Sequence, residues 1–191
     1  MRNPQHLLSS SSALKDLLLK ALAYPSPIRP VLARKIIKKF SMFSYIDRLL
    51  IGAVDRPHYG YCLLQAAKLA RSLGYPRISM IEFGCGGGNG LINAEMHINE
   101  ITKIFPIEIE LYGFDSGAGL PCPQDYRDMP HYFREGLFEM DVRALLSKLK
   151  RAKLVIGDVK ENVQHFSKNI SRRQLVVLCG ISIFIHPPGM R

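Results

Sequence analysis

The chain has no uninterrupted apolar run of the roughly 18 to 20 residues that a membrane-spanning helix needs, because charge, glycine or proline breaks each candidate. A compact secretory signal is also absent. The N-terminal stretch "SSSSALKDLLLKALA" scatters lysines and an aspartate among its leucines. The four cysteines, Cys62, Cys85, Cys122 and Cys179, stand far apart and form no C-x-x-C pair, so their spacing suggests neither a zinc site nor a disulfide framework. A cytoplasmic protein is the expectation. Carboxylates are scarce beside cations, 16 against 26, which leaves a net charge of +10. Such a balance draws a protein toward nucleic acid, anionic lipid or acidic substrates without choosing among them. No internal repeat is evident.

What is present is enough for one folded domain. With 191 residues, 47% of them hydrophobic, a chain can bury roughly 70% of the surface it exposes when unfolded. Leucines and alanines recur at helical spacing from Ser9 to about Ala23, and "YPSPIRP" then breaks the pattern. The segment "VLARKIIKKFSMFSYIDRLL" reads as one amphipathic helix with Arg34, Lys35, Lys38 and Lys39 on its polar face. We read it as packed on its own domain, the alternative being a surface for RNA or membrane. A third helix, "GYCLLQAAKLARSLGYP", carries Leu63, Leu64, Ala67, Leu69 and Leu73 at its apolar positions.

Strands follow. "RISMIEF" (77–83), "IEIELYGFD" (107–115), "KLVIGD" (153–158) and "RQLVVLCGISIFI" (173–185) are short apolar or alternating runs, separated by the helical segments "LINAEMHINEITKIF" and "DVRALLSKLKRA" and a further short helix. Alternation of this kind implies parallel strands joined by right-handed crossovers. The predicted fold is a doubly wound α/β, Rossmann-like sheet of about four strands, covering residues 57–191, behind an N-terminal helical segment, 1–56.

The stretch "IEFGCGGGNG" (81–90) holds five glycines in seven residues from Gly84 to Gly90. Each loses more conformational freedom on folding than an alanine, so something must approach that backbone closely. The G-x-G-x-x-G dinucleotide fingerprint fails in both registers, meeting Asn89 or Leu91 where it needs glycine. A phosphate-binding P-loop fails as well, for no Lys-Ser or Lys-Thr pair follows. What fits is E-x-G-x-G-x-G, with Glu82, Gly84, Gly86 and Gly88.

That pattern, together with "YGFDSGAGLP" and "KLVIGDVKENV", resembles class I S-adenosylmethionine-dependent methyltransferases. The stretch from "RPHYGY" through "GFDSGAGLP" is most similar to the bacterial group of macrocin-type O-methyltransferases, and the likeness covers about residues 57–165. The resemblance implies S-adenosylmethionine (SAM) as cofactor and a small molecule or sugar as acceptor. Glu82 would attract the ammonium of the cofactor's amino-acid part, and the amides of Gly84, Gly86 and Gly88 its carboxylate. Asp115 would accept both ribose hydroxyls, Asp158 the adenine amine, and His58 and Tyr59 would lie near the cofactor. The plain alternatives are a helix cap for Glu82, a turn for Asp115 and a packing tyrosine. Cys85, inside the loop, reads as a small buried filler.

After the fourth strand the resemblance implies an acidic cluster for metal or base and three further strands. The final "RRQLVVLCGISIFIHPPGMR" contains no aspartate or glutamate. The expectation is therefore a shortened chain with no assigned catalytic residue, no metal site and doubtful activity, His186 being read as a tail residue. Its last strand would leave a sheet edge to be covered by the N-terminal helices or by a second copy. No nucleic acid partner is expected of the leading reading; a non-catalytic remnant or basic module on RNA or membrane is the alternative.

Overall fold

The computed structural model describes residues 5–23, 28–39, 43–169 and 174–180. The tail with His186, and the expected end of the fourth strand, lie outside them. The chain divides into two compact units, Met1–Tyr61 and Cys62–Arg191.

The first unit is helical. Helices α1 (Gln5–Ala23) and α2 (Ile28–Lys39) bury Leu18, Ala33 and Ile37 with Phe43 and Ala53. Pro30 falls in the first turn of α2, where a missing N–H has no helical partner to lose, so this proline does not end the helix. The segment expected as one helix from Val31 to Leu50 is two. A new helix, α3 (Tyr45–Leu50), opens at Ser44, whose side chain accepts from Asp47 N at 3.1 Å while Asp47 Oδ2 accepts from Ser44 N at 3.2 Å. This reciprocal capping box fixes a helix start that apolar spacing alone passes over.

Helix α4 spans Pro57–Ser72. Leu63, Leu64, Ala67 and Ala70 are buried there, whereas Leu69 and Leu73, expected inward, are exposed. Alanines 66, 67 and 70 carry the inward stripe, which turns Leu69 to solvent.

The second unit is a parallel sheet of β1 (Arg77–Phe83), β2 (Glu108–Asp115), β3 (Lys153–Ile156) and β4 (Gln174–Gly180), in the order β3-β2-β1-β4. Between them run α5 (Asn89–Ile104), α6 (Val142–Lys148) and α7 (Val159–Asn169). Side chains alternate across the sheet. Gly113 faces α5, meeting Leu91, while Tyr112 and Phe114 meet the Phe166 ring of α7 at 4.6 and 5.2 Å. The two helices therefore cover opposite faces, the mark of a doubly wound sheet. The chain winds outward from β1 through β2 to β3, then returns to the other side of β1. The carboxyl end of β1 is thus the switch point, where open α/β sheets hold ligands.

One buried carboxylate organises the turn into β3. Glu95 of α5 accepts from the amides of Lys150, Arg151 and Ala152 at 2.7 to 3.1 Å. No motif in the sequence marks that role.

Candidate functional site

β1 delivers Glu82 and then the glycines to the switch point. Glu82 pairs in register with Gly113, and Asp115, two residues beyond Gly113, projects from the same face of the sheet. Both carboxylates are almost wholly buried, at 3% and 8% exposure. They converge on the thiol of Cys85. Burial, and then the charges of Glu82 and Asp115, push that thiol well above its ordinary range. Its sulfur lies 3.6 Å from Glu82 O and 3.7 Å from Phe114 O. Cys85 is the buried filler expected of it.

The loop amides have defined partners. Gly84 N donates to Phe114 O at 2.9 Å, Gly86 N to Asp115 Oδ2 at 2.9 Å and Gly88 N to Cys85 O at 2.8 Å. The three glycines that fit the motif therefore donate within the protein, and their amides shape the loop. Their φ angles of 74°, 50° and 74° lie in the left-handed region that side chains resist. The next donors are those of Gly87 and of the first turn of α5. That helix begins at the glycine N-cap Gly88, which provides no side-chain hydrogen bond.

Space divides the loop further. A Cβ on Gly88 would overlap Leu145 of α6, one on Gly90 would overlap the Glu82 carboxylate, and one on Gly113 would crowd Leu91 and Cys85. A Cβ on Gly86 or Gly87 would meet nothing within 4 Å. The backbone is closed toward the core and open on the other side.

Asp115 is the hub of this end of the sheet. Its Oδ2 holds Gly86 N, its Oδ1 accepts from Gly117 N at 2.7 Å, and its carbonyl accepts from Gly157 N at 3.0 Å. One residue fastens the turns after β1, β2 and β3. Asp158 is exposed, and its Oδ1 accepts from Glu161 N at 3.0 Å, capping α7. It follows Gly157, whose amide donates to the Asp115 carbonyl.

His58 and Tyr59 belong to the first unit. The Tyr59 ring is buried, edge-on to His58 at 4.9 Å and with the Arg56 guanidinium 5.7 Å from its centroid. His58 lines a groove of about 560 Å³ with Leu22, Arg34, Leu49, Ile51 and Tyr61. Among the described residues no group of three His, Cys, Asp or Glu side chains could hold a metal ion, and no helix is long and apolar enough to cross a membrane.

No protein-family model matches the chain, and no curated protein matches it. Among solved structures, that of CalS11, a calicheamicin methyltransferase, aligns with 88% of this chain at 19% identity and a TM-score of 0.41. The chain spans 64% of the length of that neighbour.

Proposed function

We propose that the chain binds SAM at the carboxyl ends of β1 and β2 and is built as a methyl-transferring domain, acting on an oxygen of a small molecule or sugar. The observation that carries this reading is the Asp115 hub, which fastens Gly86 and Gly117 beside backbone left open at Gly86 and Gly87. The residues fit the cofactor's chemistry. The amides of Gly87 and the first turn of α5 suit its carboxylate, and Glu82 suits its ammonium, directly or through water. Each oxygen of Asp115 has one lone pair left for a ribose hydroxyl, since each already accepts one amide. Asp158 Oδ2 suits the adenine amine. When bound, SAM supplies an electrophilic methyl group on its sulfonium; this chain's part is to hold and orient it in a backbone-lined site.

Calorimetric titration tests the reading. Saturable heat with SAM is expected from the folded chain. Asp115→Ala should weaken binding by about 1.5 to 3 kcal/mol for each charge-assisted hydrogen bond lost. No heat from the folded wild-type chain, or tighter binding of NADH, would overturn it.

One observation favours a second reading. Residues 1–61 hold ten Lys and Arg against three Asp and Glu, and Leu17, Val31, Leu32 and Leu50 are exposed among them. A basic module on RNA or membrane would bind in a manner that falls steeply with salt and survives mutation of Glu82 and Asp115.

A further inference from the structure

Helix α3 ends in a Schellman turn. Gly52 takes the left-handed conformation at φ 71°, its amide donates to Leu49 O at 3.1 Å, and Ala53 N donates to Arg48 O at 2.7 Å. The turn leaves the Ile51 carbonyl without a helical donor, and Arg34 of α2 supplies one, its Nε donating to Ile51 O at 2.9 Å. The guanidinium rests against Gly52, where a Cβ would come within 3.8 Å of Arg34 Cζ and Nε. Its two terminal nitrogens have no partner among the described residues.

That guanidinium lines the groove of about 560 Å³ in the helical unit, with His58 and Tyr61 as the other polar side chains and an aliphatic wall that includes Leu22, Leu49 and Leu50. No carboxylate lines it among the described residues. Two of the acids of this unit are already engaged elsewhere, Asp47 by Ser44 N in the capping box and Asp55 by Lys38 at 2.6 Å. The groove therefore holds a cation whose counter-charge the protein does not supply. Its volume is that of a small-molecule site.

The complement of such a groove has one acidic end and an aliphatic body. A guanidinium fork meets a carboxylate through two parallel hydrogen bonds, which a point charge cannot do. Because Arg34 is exposed and solvent screens it, charge alone would hold an anion weakly, and burial of Leu50, now 63% exposed, must add to it. A polyanion fits less well, since it needs several cations along its backbone where this groove offers one fork among leucines.

We propose that this groove is a ligand site in its own right and takes a medium-chain aliphatic carboxylate, the acid on Arg34 and the chain along Leu22, Leu49 and Leu50. The site goes beyond the SAM reading and uses neither the cofactor nor a methyl-transfer step.

Saturation-transfer NMR on the full chain with octanoate and with octan-1-ol tests this. Octanoate should show saturable transfer and bind at least about tenfold more tightly than the alcohol. Arg34→Gln should remove that preference. Leu50→Glu, a change at an exposed position that sets a like charge in the groove, should weaken octanoate by about tenfold or more with unchanged melting, and it decides the matter alone if the Arg34 variant melts lower. Three results would overturn the site: no saturable octanoate transfer, equal affinity for octanoate and octanol, or wild-type octanoate affinity in folded Leu50→Glu. Salt-sensitive sedimentation with phosphatidylglycerol vesicles in place of octanoate binding would also overturn it and return this face to the basic-module reading. Octanoate binding without SAM heat would sustain the groove and sink the methyl-transfer reading, and SAM heat without octanoate binding would do the reverse.

Discussion

The two sides of the glycine loop are made of one residue type and do opposite things. On the inner side, Gly88 and Gly90 are glycines because Leu145 and the Glu82 carboxylate fill the space a Cβ would take. On the outer side, Gly86 and Gly87 face no protein atom within 4 Å of that position. The first pair is closed by packing, and the second leaves open space beside the backbone, where our proposal puts the ligand, although the Gly86 amide itself donates to Asp115. A glycine-rich motif therefore holds filled and open positions together, and only coordinates separate them.

The largest effect should come from the inner side. Gly90→Ala sets a methyl against a buried carboxylate, and overpacking of this kind costs about 3 kcal/mol, read as a lower urea midpoint. Adding Glu82→Ala should restore part of that loss. Equal stability of Gly90→Ala and wild type would erase the distinction between the two sides. Gly88→Ala should cost about 2 kcal/mol, because it forces a side chain into the left-handed region at φ 74° as well as onto Leu145. Leu145 is the movable partner here, so Leu145→Ala should relieve the contact and leave the backbone strain.

Cys85 offers a smaller test of the closed side. At pH 8 a thiol reagent should label exposed Cys62 and Cys122 and spare Cys85 until the chain unfolds. Labelling of Cys85 at the rate of Cys62 would show the inner side to be open. The raised thiol value also has a sign in stability. The folded thiol keeps its proton where the unfolded one, near its ordinary value of 9.0, loses it. Stability should fall above about pH 9 by up to about 1.4 kcal/mol per pH unit, and Cys85→Ala should remove that slope.

Much of this was legible in the residues. The alternation of apolar runs and helical segments located all four strands, most directly β1, whose burial along 78–82 is written as a short apolar run. Glu82, the glycines and Asp115 were visible as a group, and register brings both carboxylates to one face of the sheet. Their partners were not visible. Asp115 binds Gly86, 29 positions away, and Glu95 binds amides 55 to 57 positions away; contacts at such separations leave no local period. The break between α2 and α3 was missed for the opposite reason, since its Ser44–Asp47 box is local but lies inside an apolar pattern that continues through it. Asp158 caps α7, a role that the end of an apolar run does not announce in the sequence.

The outer side is tested most directly by Gly87→Ala. This position has no positive φ, and a Cβ there meets nothing within 4 Å, so the methyl should change stability by less than about 0.5 kcal/mol. It would occupy the space assigned to the ligand. Titrating SAM into both chains by calorimetry should give an affinity at least about tenfold weaker for the variant, with unchanged melting. Equal SAM affinity in the two chains would contradict the account.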